Sequence, residues 1–158
     1  MSNVAYSKDK KKKSSSEECT FCKQLDQDDD EKHYILKRTK LSVIMFNLYP
    51  YNSGHLMVLP LEHKGNLLDL TPETRQDLME SVNSSIKILK QELKPDGFNV
   101  GINLGEAGGG GMPSHLHIHV LPRWIGDTNF LPLIGETKPL SFDLAKMYKN
   151  LKKEFDKI

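Results

Sequence analysis

The segment His115-Leu116-His117-Ile118-His119-Val120-Leu121 alternates imidazole and aliphatic side chains without a break. Successive side chains of an extended strand point to opposite faces. A strand over 115–121 therefore sends Leu116, Ile118 and Val120 into a core and aligns His115, His117 and His119 on the other face. One histidine in such a strand is ordinarily a hydrogen-bonded structural residue. Three in register present a row of imidazoles to a ligand, a metal or both.

The rest of the chain supplies a sheet and helices around that strand. His33 to Leu36 and Leu41 to Phe46 are apolar and β-branched enough to be strands. Asn47 to Gly54 is a turn-rich connection, and His55 to Leu59 reads as a third strand ending at Pro60. Thr71 is a good helix N-cap, with Pro72 at the first helical position. Leu78, Val82, Ile86, Leu89 and Leu93 then recur at helical spacing, and Pro95, Asp96 and Gly97 stop the helix. Phe98, Val100, Ile102 and Leu104 alternate with small or polar residues, which predicts a half-buried strand. A last helix, capped by Ser141, has the apolar face Leu144, Tyr148, Leu151 and Phe155. The order β-β-β-α-β-β-α predicts an α+β fold: an antiparallel sheet of about five strands with two main helices.

At 158 residues the chain fits one domain, expected over 18–158. Residues 1–17 hold Lys8, Lys10, Lys11, Lys12, Lys13 and three serines with almost nothing to bury, and are expected to be a disordered, solvated basic tail. Asp28 to Glu31 is a second charge run, expected in a loop. The net charge of +1 gives no strong pull toward nucleic acid or membrane, and neither is an expected partner. No apolar run reaches the ~18 residues of a membrane span. The lysine-rich start lacks the apolar stretch of a secretory signal, so the expected compartment is the cytoplasm. The two cysteines, Cys19 and Cys22, are too close to staple a fold. In a reducing compartment a C-x-x-C pair binds metal or does redox work. No thioredoxin-like βαβ pattern surrounds this one, which disfavours the redox reading.

The loop before the histidine strand holds five glycines in seven residues: Gly105, Gly108, Gly109, Gly110 and Gly111. Glycines let backbone N–H groups converge on an anion without side-chain obstruction. A glycine loop alone is more often a flexible connection. Feeding a row of histidines, it points to phosphoryl transfer. The G-x-x-x-x-G-K-[ST] signature is absent, so this is not a P-loop.

These residues resemble a known family. The run from His115 to Leu121 matches the histidine-triad signature His-φ-His-φ-His-φ-φ, where φ is apolar. Gly54 to Pro60 with His63 resembles the family's other characteristic segment, and the likeness extends from about Cys19 to Phe130. Asn47 to Asn52, Pro122-Arg123-Trp124 and Gly126 to Phe130 look like the branch that includes diadenosine tetraphosphate phosphorylases.

The resemblance implies that His117 attacks the α-phosphorus of a nucleotide and forms a nucleotidyl-histidine that water or phosphate then cleaves. Imidazole suits that task, being neutral and nucleophilic near neutral pH. By the same resemblance His119 and His55 contact phosphate oxygens or help transfer protons. Asn103, Gly109, Gly110, Gly111 and Met112 line the phosphate side, where loop amides meet developing charge. Asn47 meets the ribose, Ile44, Phe46 and Leu48 line the base pocket, and Trp124 stacks or packs nearby. Asn47 stands where the wider family more often has an acidic residue. Gly111 stands near the serine expected of phosphorylase relatives. The implied substrate is a dinucleoside polyphosphate such as diadenosine tetraphosphate, or a phosphoramidate, with hydrolysis and phosphorolysis both open. A homodimer with its two sheets joined is also implied.

Histidine-triad relatives further imply a structural zinc held by Cys19, Cys22, His63 and His115, two cysteines and two histidines being a standard tetrahedral set. The other reading of these residues is two free thiols and an exposed His63. No organic cofactor is expected. A nucleotide-binding sensor or adaptor is the competing function, and an intact nucleophile at 117 argues against it. A zinc store would leave the glycine loop and Asn47 without a role.

Overall fold

The computed structural model describes residues 16, 18–109, 111–128 and 142–158. Most of the expected basic tail, Gly110, Phe130 and Ser141 therefore lie outside the described residues.

Five strands form one antiparallel sheet: β1 (Ile35–Arg38), β2 (Ser42–Phe46), β3 (Leu56–Pro60), β4 (Gly97–Ile102) and β5 (Ile118–Arg123), in the order β1-β2-β3-β5-β4. A short helix α1 (Thr20–Leu25) precedes the sheet, α2 (Pro72–Leu93) links β3 to β4, and α3 (Leu144–Phe155) ends the chain. The α+β architecture of five antiparallel strands and two main helices is the expected one.

Period-two alternation sorts the strand residues onto two faces. One carries Leu36, Ile44, Phe46, Leu56, Val58, Leu116, Ile118 and Val120 against Leu78, Val82, Ile88 and Leu89 of α2 and Tyr148, Leu151 and Phe155 of α3. The other carries Ile35, Val43, Met45, Met57 and Leu59, with Phe21 and Leu25 of α1 packed against them. The main core thus lies on the helix side, and the opposite face keeps room for a site.

Helix α2 starts as its sequence dictates: the Thr71 side chain accepts from Thr74 N, and Pro72 occupies the first turn. It ends one residue before Lys94, which takes a left-handed φ of 47°. Helix α3 is capped by Asp143, whose side chain accepts from Lys146 N, rather than by Ser141.

Three boundaries differ from expectation. β1 begins at Ile35, because Tyr34 has φ 53° and cannot continue an extended run. The histidine strand begins only at Ile118. In the β3–β5 register Val58 faces Ile118, so Pro60 would face Leu116, and proline has no N–H to extend the ladder. His115 and His117 therefore sit on the approach to the strand, where Leu116 N donates to Lys64 O at 2.7 Å. The third difference is in β4, an edge strand beyond the helices. Phe98 and Ile102 pack on the core, but Val100 is exposed.

Candidate active site

Four local devices bring the histidines into contact. Pro60 ends β3 with its carbonyl turned to His115 Nε2 at 2.9 Å. His115 in turn offers its own carbonyl to His117 Nδ1 at 3.0 Å. A carbonyl only accepts, so each of these ring nitrogens carries a proton. In the neutral ring this tautomer leaves the lone pair on Nε2. It is only 8% exposed, and its ring lies 4.9 Å from that of His119.

The second device is a tautomer chain. Tyr51 N–H donates to His55 Nδ1 at 3.1 Å, and Asn47 Nδ2 approaches the same nitrogen at 3.4 Å. A backbone N–H only donates, so the His55 proton must be on Nε2, which donates to His119 Nδ1 at 2.9 Å. That leaves the His119 proton on Nε2, a buried atom with no partner among the described residues. Burial, then the neighbouring His119 and His117, push His55 down to about 3. Burial and His117 also lower His119. Both rings are neutral at physiological pH, as the chain requires.

The third device is the loop around Asn52. Its amide donates to Pro122 O at 3.0 Å and to Asp127 Oδ2 at 2.8 Å. Asp127 is also gripped by Arg123 at 2.6 and 2.7 Å and by Trp124 N at 3.1 Å. The Arg123 guanidinium holds the Asp127 carboxyl well below the usual carboxylate range. This node pins the 47–54 loop, and with it Tyr51 and Asn47, to the end of β5.

The fourth device is the glycine loop. Gly109 takes φ +81°, a conformation that L side chains rarely adopt. A Cβ on Gly108 would lie 2.5 Å from Leu104 O, so that turn closes only with glycine.

These devices surround one cavity of about 310 Å³. His117, His119, Asn47, Leu48, Asn103, Gly109, Gly111 and Met112 all line it. Phe46 touches it from the core side, while His55 stands behind His119. Two expected residues do not line it. Ile44 is buried in the core against α2, because it lies on the opposite face of β2, and Met45 takes the cavity position. Trp124 is half-buried in the Asp127 turn, outside the cavity lining. Gly110 lies outside the described residues.

The sequence reading missed Thr20, Phe21, Gln24, Tyr49, Tyr51 and Met57 as cavity residues. A signal existed for Phe21, which sits inside the C-x-x-C motif. Its ring packs 5.6 Å from His115 and 5.5 Å from His117. Tyr51 stacks at 4.9 Å on His55, and only tertiary packing reveals that contact.

Cys19, Cys22, His63 and His115 converge beside this cavity, their ligand atoms all within 4.8 Å of one another. His63 Nδ1 lies 3.2 Å from Cys22 Sγ, and His115 Nδ1 lies 3.5 Å from both sulfurs. Tetrahedral zinc with its usual bond lengths separates sulfur and nitrogen ligands by about 3.6 Å, so the cluster could hold such an ion. The His115 Nε2–H bond to Pro60 O leaves Nδ1 as the free ligand atom, the usual outer support of a metal-bound histidine. Without a cation, burial and the adjacent Cys19 push the Cys22 thiol up to about 11. A bound cation reverses that balance by stabilising thiolate.

The family model described as the HIT domain matches residues 29–124. A Mycobacterium tuberculosis protein named AP-4-A phosphorylase is 47% identical over 109 residues, 69% of this chain and 56% of that protein. The Schizosaccharomyces pombe bis(5'-nucleosyl)-tetraphosphatase (asymmetrical) is 33% identical over 115 residues, 72% of this chain and 63% of that one. The chain thus spans a little over half the length of these curated relatives. Among solved structures, a zinc-bound histidine triad family protein from Mycobacterium smegmatis superposes with a TM-score of 0.73 at 24% identity, covering 90% of this chain and 96% of that one.

Proposed function

This chain belongs to the histidine-triad (HIT) domain family, and from that premise we propose that it cleaves a phosphoanhydride bond of a dinucleoside polyphosphate through a nucleotidyl-His117 intermediate. The observation that carries the proposal is the state of His117. Its Nδ1–H is fixed on the His115 carbonyl, so Nε2 keeps its lone pair beside the cavity. Nε2 bonds to the α-phosphorus as the bond to the leaving phosphate oxygen breaks. The neutral His119 donates an Nε2–H hydrogen bond to that oxygen, which departs as a phosphate anion, and the tautomer chain through His55 to Tyr51 N–H presets that donor. Amides of the glycine loop stabilise the charge that develops on phosphorus oxygens. Water or phosphate then attacks the same phosphorus, the P–N bond breaks with its electron pair returning to His117 Nε2, and an attacking water loses its proton to solvent.

Asn47 meets the ribose in this reading, with Met45, Met57 and Leu48 against the base. Cys19, Cys22, His63 and His115 hold a structural zinc. When bound there, zinc would tie α1 to the approach of β5, and no chemical step would pass through it. The active form is a homodimer, supported by the terminal place of β4 in the sheet among the described residues, with Val100 exposed on it.

Phosphorolysis is the second reading, favoured by the 47% identity to a protein named AP-4-A phosphorylase. Incubating the protein with diadenosine tetraphosphate, with and without phosphate, decides between them. AMP plus ATP in both buffers means hydrolysis, and ADP plus ATP only with phosphate means phosphorolysis. No product in either buffer would overturn the proposal.

A further inference from the structure

The cavity beside His117 has two walls of different origin. The sheet side contributes Met45, Asn47 and Met57, and α1 contributes Thr20, Phe21 and Gln24. Thr20 and Gln24 are four residues apart, which places them on one face of the helix. Phe21 lies between them and packs on His117. Three other polar side chains of the cavity have partners already. Asn47 Oδ1 accepts from Tyr49 N at 2.9 Å and its Nδ2 faces His55, while His117 and His119 are held in the histidine network. Gln24 is half-buried, lines the cavity among methionines and aromatic rings, and its side chain makes no hydrogen bond among the described residues.

A carboxamide has a donor and an acceptor side by side. Held in an apolar cleft, it matches the adenine edge, where the N6 amino donor adjoins the N7 acceptor. Guanine offers two acceptors, O6 and N7, on the same edge, which satisfies only the donor half of a carboxamide. The position of the helix is not left to chance. Cys19 and Cys22 flank Phe21 in the four-residue cluster, and Phe21 and Leu25 pack on Ile35, Val43, Met45, Met57 and Leu59.

We propose that Gln24, on the α1 wall of this cavity, selects adenine over guanine. The inference rests on the nucleotide reading of the site and adds to it a residue that determines which base is bound.

Calorimetric titration of the zinc-loaded full chain with AMP and with GMP tests it. The wild type is expected to prefer AMP. Gln24→Leu should weaken AMP about tenfold, the scale of one lost bidentate base contact, and leave GMP within about twofold. Gln24→Arg should move the preference toward GMP, since a guanidinium pairs with O6 and N7. An unchanged AMP-to-GMP ratio in Gln24→Leu, or an equal loss of both nucleotides, overturns the proposal, as does a wild type that binds neither. Binding is read here without turnover. A Gln24-dependent preference in a protein that fails to cleave diadenosine tetraphosphate would sink the transfer chemistry and leave the base selection standing.

Discussion

At the scale of single residues, the His115 carbonyl and the His117 ring divide the work between position and chemistry. Changing His117 to alanine or glycine removes the proposed nucleophile but leaves the rest of the cavity lining in place. Turnover of diadenosine tetraphosphate should fall by several orders of magnitude while AMP affinity, measured by calorimetry, stays within about threefold. His119→Ala should cost less, about a hundredfold in kcat, because it removes a hydrogen-bond donor to the leaving oxygen and leaves the covalent route. Near-normal rates in the His117 variants would refute the mechanism. Asn52 makes a different case. Its amide is buried and serves two acceptors, Pro122 O and Asp127 Oδ2. Asn52→Ala leaves both without that donor and should cost about 1–3 kcal/mol of stability in urea denaturation. No such importance is readable from N-S-G in a turn, because both of its partners lie about seventy residues away.

At the scale of elements, α1 and the approach to β5 form one assembly through Cys19, Cys22 and His115. Chelation, or Cys19→Ser with Cys22→Ser, should release α1, increase hydrogen exchange over 19–36 and lower the melting temperature, since serine is a poor zinc ligand. Elemental analysis of protein purified without a metal-affinity tag should give one zinc per chain. Less than about a tenth of an equivalent, with no gain in melting temperature on adding zinc, would reject the structural-zinc reading. The packing of Phe21 on His117 adds a consequence: metal loss should weaken AMP binding as well as stability. The sequence pattern carried α2 almost completely, because its cap, its first-turn proline and its apolar spacing are all local signals. It carried α1 not at all. Six residues cannot sustain a helix alone, so this one depends on the contacts of Phe21 and Leu25. The same distinction explains Ile44. Alternation along β2 was legible, but which face meets the helices and which the cavity depends on how the sheet is covered.

At the scale of the whole molecule, burial of neutral histidines couples stability to pH. His55 is held near 3 in the folded chain, against 6.5 when exposed. The unfolded chain therefore binds the extra proton first, and stability is full above about 6.5 and declines as pH falls toward 3. Thermal melts between roughly pH 8 and pH 5 should show that decline, above the range where carboxylates such as Asp127 titrate. His55→Gln should flatten it, and a slope unchanged by that substitution would count against a neutral buried His55. The place of β4 at the edge of the described sheet makes the second prediction at this scale. Scattering at micromolar concentration should give twice the 18.0 kDa chain mass, and a monomer alone would exclude the joined-sheet dimer. The amino-acid sequence by itself determined the α+β class, the core-facing positions Leu116, Ile118 and Val120, and the family, because periodicity and the triad signature are properties of neighbouring residues. Tertiary structure alone decided which proton each histidine carries, that Phe21 and Gln24 wall the cavity, and that the ladder stops at Pro60. Those outcomes come from hydrogen bonds and packing between residues far apart in the chain, which no local pattern encodes.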